Sequence, residues 1–319
     1  MVVSGRSEKV AMRGDSRNLA GYLGRTWMLY VMLLLPAAFF IIFRYVPMLY
    51  IWMAFSDFNI FRDGGLFANP WVGFEHFRTA FSQHDFWPAL RNTLRLNVLD
   101  LIFGFPAPII LAILLNELKF NVFKRFTQTV LYMPHFLSWV VVSGMVIQLF
   151  ATNMGLFNDF LADMGMARIP FMTNHSLWVS FVWVTIGIWK TVGWGTIIYL
   201  AAIAGINQEL YEAAEVDGAN RIQRIIHVTL PCLAPTIIIL LILAIGGMIG
   251  IEFDRPLVLQ NPAVMPVADV LSTYVYRRGI LTFQYSLATA VSIFQSSINV
   301  ILLVTANLIA KRFGQRGIW

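Results

Sequence analysis

Charge and cysteine are what this 319-residue chain has least of. Charged residues make up 13% and apolar residues 58%, against about 25% and about 45–50% in an ordinary soluble domain. That is more apolar surface than one core can hide, so lipid is the expected solvent. The single cysteine, Cys232 beside Pro231, excludes an internal disulfide framework and offers no cluster for zinc or iron–sulfur binding. The five histidines (His76, His84, His135, His175, His227) are scattered without metal-ligand spacing, which argues against a metal site and an intramembrane enzyme. His135, following Pro134, reads as a capping or packing residue, with a base as the alternative. A phosphate loop is also missing. Residues 187–191 end in Lys190-Thr191, but Trp189 stands where the required glycine belongs. No cofactor or catalytic residue is expected, and energy must come from a partner or an ion gradient.

No polar interval of domain size interrupts the stretch from Trp27 to Ala310, which gives one membrane domain in place of two soluble ones. At about 1.5 Å per residue across about 30 Å of hydrocarbon, a span needs about 20 apolar residues. Six stretches qualify: 27–50, 93–115, 127–150, 177–205, 233–253 and 285–310. The expected fold is therefore all-α and polytopic, with six transmembrane helices. The apolar segment after the basic N-terminus is too long for a cleavable signal and is expected to stay as the first span. The Arg13-Gly14-Asp15 triplet is taken as chance.

The formal charge of +6 sits in short segments beside the spans rather than on one basic face, so topology explains it better than nucleic acid. Thirteen of the 23 Lys and Arg fall on one side: Arg6, Lys9, Arg13, Arg17, Arg25, Lys119, Lys124, Arg125, Arg221, Arg224, Lys311, Arg312 and Arg316. Seven fall on the other: Arg62, Arg78, Arg91, Arg168, Arg255, Arg277 and Arg278. The positive-inside rule then places both termini in the cytoplasm. The longest connection, 56–92, lies outside. Its Trp71, Phe74, Phe77, Phe81 and Trp87 suit an interfacial helix, as headgroup anchors or as a contact for an external partner.

Residues 206–231 are too regular for a passive connector. Asn207 can cap a helix with Glu209 in its first turn, Gly218 can end it, and Asn220 can cap a second short helix that Pro231 terminates. On the first helix Leu210, Ala213, Ala214 and Asp217 share one face, and two alanines there allow close approach by another backbone. Glu212 and Glu215 flank that face with charge for a partner's Lys or Arg. The same composition also suits a plain interfacial helix.

The run Glu212-Ala213-Ala214, three residues, Gly218, nine residues, Val228, one residue, Leu230-Pro231 resembles the signature loop of binding-protein-dependent ABC importer permeases, where Val228 is usually Ile. The resemblance covers residue 92 to the C-terminus, with the first span and outer loop added as in carbohydrate-uptake members. Tyr132 to Trp139 (YMPHFLSW), Ile188-Trp189-Lys190, 199–203 and 217–221 are similar to polysaccharide and complex-oligosaccharide permeases of the LplB type, a group that includes the membrane subunits of alginate importers. It implies a MetI-like fold in a bacterial inner membrane. The implied parts are a cytoplasmic segment 1–26, the first helix and outer loop 27–91, a permease core 92–311 with coupling loop 206–231, and a tail 312–319. The implied partners are two ATP-binding subunits, a second homologous permease, an external solute-binding protein and an oligosaccharide cargo. Glu212, Ala213, Ala214 and Gly218 take the coupling role, and ATP binding drives alternating access through them.

Intramembrane ionisable groups mark pathways. Arg95, Asp100, Lys190 and Glu252 lie in or at the edge of spans; Asp100, with Arg95 as its neutraliser, and Lys190, close to mid-span and facing protein or water, are the candidates. Trp183, Trp189 and Trp194 are candidates for stacking on sugar rings or for packing, and Gly187, Gly193 and Gly195 for close helix approach. An ion-coupled secondary transporter is the rival reading. Acidic cargo ranks ahead of neutral cargo.

Overall fold

The computed structural model describes residues 19–62, 65–250, 252–312, 314, 317 and 318. Arg6, Lys9, Arg13, Arg17, the Arg25 side chain, the Arg13-Gly14-Asp15 triplet and Arg316 lie outside the described residues. Helices follow one another in the order α1 (Thr26–Phe55), α2 (Glu75–Ser82), α3 (Phe86–Asn116), α4 (Asn121–Phe136), α5 (Trp139–Phe150), α6 (Leu156–Asp163) and α7 (His175–Ala204). They continue as α8 (Gln208–Val216), α9 (Arg221–Gly246), α10 (Asp254–Leu259), α11 (Leu271–Tyr276) and α12 (Tyr285–Arg312). Among the described residues extended structure is limited to one antiparallel bridge, Ser56 with Trp71.

The chain divides into two units between Ile51 and Trp52. In the first, α1 buries none of its most apolar stretch. A run of exposed Leu, Met and Phe of this length has to be covered by lipid or by another subunit.

In the second unit α3, α7, α9 and α12 are each long and apolar enough to cross a bilayer. The expected third span is not continuous. It is the pair α4 and α5, bent by 100°, and six spans result only if the pair counts as one. Pro134 tightens the end of α4, Leu137 turns extended (ψ 138°), and Ser138 caps α5 by accepting from the Val141 amide at 3.3 Å. Unbroken apolar composition hides that break.

The fifth span also differs. Asn220 does start a helix, but Pro231 does not end it: α9 runs through to Gly246. Wide π turns at Ile225–Thr229 absorb the misfit, and Pro231 falls in the first turn of the resumed α register, where its missing N–H is tolerated. The chain then leaves the helix well before residue 253. Across the break, Asn299 of α12 accepts from the Ile249 amide at 2.9 Å, and the Gln295 amide donates to the Ile249 carbonyl. Such side chains are what an unwound backbone at membrane depth requires.

The second span starts early, at Phe86, which is fully buried, so the outer connection is shorter than 56–92. Phe55 stacks on Trp71 and meets Phe74 and Phe77, so the loop's aromatic residues pack on each other while Trp71 and Phe74 stay exposed. Helices α3, α7 and α9 share a core of Ile109, Ala112, Tyr199, Ile203 and Leu233. Gly195 allows it: a Cβ there would stand 2.9 Å from the Pro108 ring, and one at Gly193 would overlap the Leu131 carbonyl.

Candidate functional site

The α8 loop is built from local signals. Asn207 leaves the helix (ψ 125°) and accepts from the Glu209 amide at 3.1 Å. At the other end Gly218 takes φ 80°, the left-handed region that glycine enters without a Cβ penalty. Its N–H reaches the Glu215 carbonyl at 3.0 Å and the Ala219 N–H the Ala214 carbonyl at 2.9 Å, a Schellman closure. Asn220 and Gln223 then form a reciprocal capping box that opens α9. Tyr211 ties the loop to α9 through the Thr229 hydroxyl at 2.9 Å.

What this construction exposes is the predicted face. Leu210, Glu212, Ala213 and Gly218 are exposed, Ala214 is half-buried, and Val216 and Ile222 beside them are 88% and 67% exposed. Apolar side chains so exposed on a polar loop suit a docking surface. Glu215 is exposed as Glu212 is, but it also pairs with Arg224 of α9 at 3.1 Å. Glu212 makes no ion pair among the described residues.

Within the membrane the pairing of charges also departs from expectation. Arg95 does not neutralise Asp100. Five residues along a helix is a rotation of about 140° from the first side chain, and Arg95 is exposed. The partner is Arg255 at 2.8 Å, from α10, a residue counted above as a loose outer charge. Its guanidinium lies 3.7 Å from the Trp183 ring centroid and 5.1 Å from that of Trp139, and donates to the Trp183 carbonyl. Trp183 donates through Nε1 to Asp100 at 3.2 Å, and Trp139 to Glu252 at 2.9 Å. Gly187 is the space this needs, since a Cβ there would overlap the guanidinium.

Lys190 is 7% exposed and faces protein: its ammonium donates to the His135 carbonyl at 3.1 Å, at the end of α4, and lies 5.2 Å from the Trp139 ring. A cation on the terminal carbonyls of a helix stabilises the break that follows. Trp183 is fully buried and has no face open to a sugar ring. Trp194 stacks on His135 at 4.6 Å, and Trp189 is 42% exposed. Thus Asp100, Trp183 and Lys190 belong to one internal network, and Trp189 and Trp194 do not. Arg255 and Trp139 are the members that sequence reasoning missed, and Glu252, an ionisable group at a span edge, joins them through Trp139. The signal was partial: an aspartate in a span needs a counter-charge, and the spacing does not say on which helix it stands.

Outside the spans a second ionic cluster joins Asp85 to Arg278 at 2.8 Å and Asp269 to Arg277 at 2.7 Å. The hydrogen bond from Arg277 to Asp269 raises the guanidinium further above its ordinary value, and burial raises the Tyr274 phenol. Tyr274 donates to Gln83 at 2.8 Å. Both shifts lie on the alkaline side, so Arg277 stays charged and the Tyr274 phenol neutral through neutral pH. Among the described residues no group of His, Cys, Asp and Glu is arranged to hold a metal ion.

Residues 104–316 match the family described as binding-protein-dependent transport system inner membrane component. Protein LplB of Bacillus subtilis (strain 168) is 41% identical over 320 residues, covering 98% of this chain and 100% of its own length. The polygalacturonan/rhamnogalacturonan transport system permease protein YteP of the same organism is 41% identical over 291 residues, covering 91% and 90%. A solved chain of a bacterial ABC transporter involved in the import of the acidic polysaccharide alginate has TM-score 0.84 and 39% identity, covering 92% of this chain and 98% of that one. A bacterial alginate ABC transporter in complex with alginate pentasaccharide-bound periplasmic protein gives TM-score 0.84 and 38% identity, covering 94% and 99%. With the core from residue 104 onward matched and relatives aligned along nearly its whole length, the chain belongs to the binding-protein-dependent transport system inner membrane components, the permease subunits of ABC importers.

Proposed function

We propose that this permease carries a complex oligosaccharide, acidic in preference to neutral, from an external binding protein into the cytoplasm. Two ATP-binding subunits drive it, beside a second homologous permease, and this chain hydrolyses no ATP itself. Both termini lie in the cytoplasm, the core is 92–311, and residues 27–91 add a first helix and outer loop. The observation that carries the reading is the capped α8 with its exposed Leu210 and Ala213 and its turn at Gly218, a surface left uncovered by the described residues. For the cargo, the support is that polygalacturonan and alginate appear in the names of relatives at 38–41% identity, while an arabinooligosaccharide permease follows at 30%. An ion-coupled carrier would need Asp100 free to exchange a proton, and Arg255 occupies it.

The test is reconstitution of the complex in vesicles with its native binding protein. Uptake is expected with ATP and none with an ion gradient alone; uptake driven by the gradient would remove the ATP-coupled reading. Uronate oligomers are expected to stimulate ATP hydrolysis more than neutral oligomers of equal length, and equal stimulation would reverse the cargo ranking. Lys190→Met is expected to leave that preference unchanged, because the residue is buried and its ammonium is bound to the His135 carbonyl. A preference lost in this variant would return Lys190 to the cargo path.

A further inference from the structure

Helices α9 and α12 pack side by side, and Gly246 lets them close: a Cβ there would stand 2.6 Å from the Leu303 side chain. Beside that contact a crease of about 380 Å³ stays open. Its walls are Ile238, Leu241 and Ile245 from α9 and Leu302, Thr305 and Ile309 from α12, over the buried Ile242 and Ala306. From Leu302 to Ala310 it follows the span for about 12 Å. Membrane helices seat one another on small residues. Here Ala306 is buried and Gly246 already meets Leu303, so what the crease presents is mostly branched aliphatic side chains, a lining suited to a flexible hydrocarbon chain.

Thr305 is the one polar residue of that lining among the described residues. Elsewhere on α12, Thr289, Ser292, Ser296 and Ser297 each donate to the carbonyl four residues earlier, at 2.8–2.9 Å. The Thr305 hydroxyl makes no such bond, nor any other among the described residues, which leaves a donor at membrane depth in need of an acceptor.

Two turns further on, Arg312 lies on the same stripe of α12, about 10 Å nearer the end of the span. It is exposed and has no ion pair among the described residues. Lys311 stands about 100° round the helix from it, on the side where the chain folds back. There the Ile318 N–H donates to Asn307 at 2.8 Å, and a Cβ at Gly317 would stand 3.1 Å from Lys311 Cε. The returning tail thus takes the Lys311 side and leaves Arg312 to the crease. Neither α9 nor residues 285–319 contain an aspartate or glutamate.

Hydrocarbon walls, a hydroxyl donor and a guanidinium, in that order along one stripe, match the acyl chain, ester carbonyl and phosphate of a phospholipid. Without a nearby carboxylate, nothing offsets the repulsion of a headgroup amine, so net negative charge is favoured. We propose that the crease is a binding site for one anionic phospholipid, with an acyl chain between α9 and α12, an ester carbonyl on Thr305 and the phosphate on Arg312.

The test is titration of the purified full chain in detergent with phosphatidylglycerol and with phosphatidylcholine of the same acyl chains, read by native mass spectrometry. One phosphatidylglycerol is expected to bind about fivefold more tightly than phosphatidylcholine. Arg312→Gln is expected to weaken it about tenfold, the loss of one hydrogen bond to a charged group, and Thr305→Val about threefold. Lys311→Gln removes the same charge on the tail side and is expected to stay within about twofold. Equal binding of the two lipids, or equal losses in Lys311→Gln and Arg312→Gln, reduces the site to diffuse attraction and overturns the proposal. A second measurement places the lipid in the assembled complex in vesicles, where phosphatidylglycerol with a photoreactive acyl chain is expected to label residues 238–245 and 302–310. Unlabelled phosphatidylglycerol should compete and phosphatidylcholine should not. Label present on the isolated chain but lost on assembly gives the crease to another subunit, and label absent from both helices in the isolated chain gives it to α1 or to no ligand. Either outcome overturns the proposal.

Discussion

Arg255→Met is expected to lower the stability of the membrane core by about 3–5 kcal/mol, toward the lower end because the Asp100 side chain keeps 31% of its exposure. The reason is asymmetry. With the guanidinium in place Asp100 has an ion-pair partner at 2.8 Å and a hydrogen bond from Trp183. Without it, one indole N–H faces a carboxylate that has lost its counter-charge. Replacing both partners should cost far less, so Asp100→Leu combined with Arg255→Met is expected to recover most of the loss. Gly187→Ala tests the same clamp without touching a charge. Its methyl overlaps the guanidinium, and an overpacked core site costs about 1–3 kcal/mol. Thermal unfolding of the purified permease in detergent, followed by size-exclusion profile, reads all three. An Arg255→Met protein as stable as the parent, with no gain in the double variant, would sink the account.

That clamp also shows where sequence reading stops. Apolar length is a local property, so α3, α7 and α12 were visible as spans near their observed positions, and α9 as a span set too far along the chain. The capping of α8 was equally legible, because Asn207, Gly218 and Asn220 act on backbone within a few residues of themselves. Partnership across helices is not local. Asp100 lies 155 residues from Arg255, and nothing in the spacing of either selects the other. Breaks in helices fall between these cases. Leu137-Ser138 interrupts a run whose hydropathy does not change, and Pro231 reads as a terminator until π turns absorb it.

Coupling to the ATP-binding subunits gives the second large effect. Gly218→Pro is expected to reduce cargo-stimulated ATP hydrolysis by an order of magnitude or more. Proline fixes φ near −65°, opposite in sign to the 80° observed, and lacks the N–H that reaches the Glu215 carbonyl. The turn must then open, and α8 with its exposed Leu210 and Ala213 is re-aimed. Gly218→Asn is the informative control, because asparagine tolerates the left-handed region and keeps its N–H, and should retain most of the coupling. The acidic side chains divide by structure. Glu212→Lys reverses a charge that has no ion-pair partner among the described residues and is expected to weaken attachment of the ATPase. Glu215→Gln weakens an exposed pair with Arg224, of the kind that contributes about 0–1 kcal/mol, and should do little. Copurification of the ATPase and stimulated hydrolysis separate attachment from signalling. Normal values of both in Gly218→Pro and in Glu212→Lys would mean that α8 is an interfacial helix without a coupling role. A loss in Glu215→Gln equal to that in Glu212→Lys would instead move the contact to the α9 side of the loop, since the two carboxylates differ chiefly in whether Arg224 already holds them.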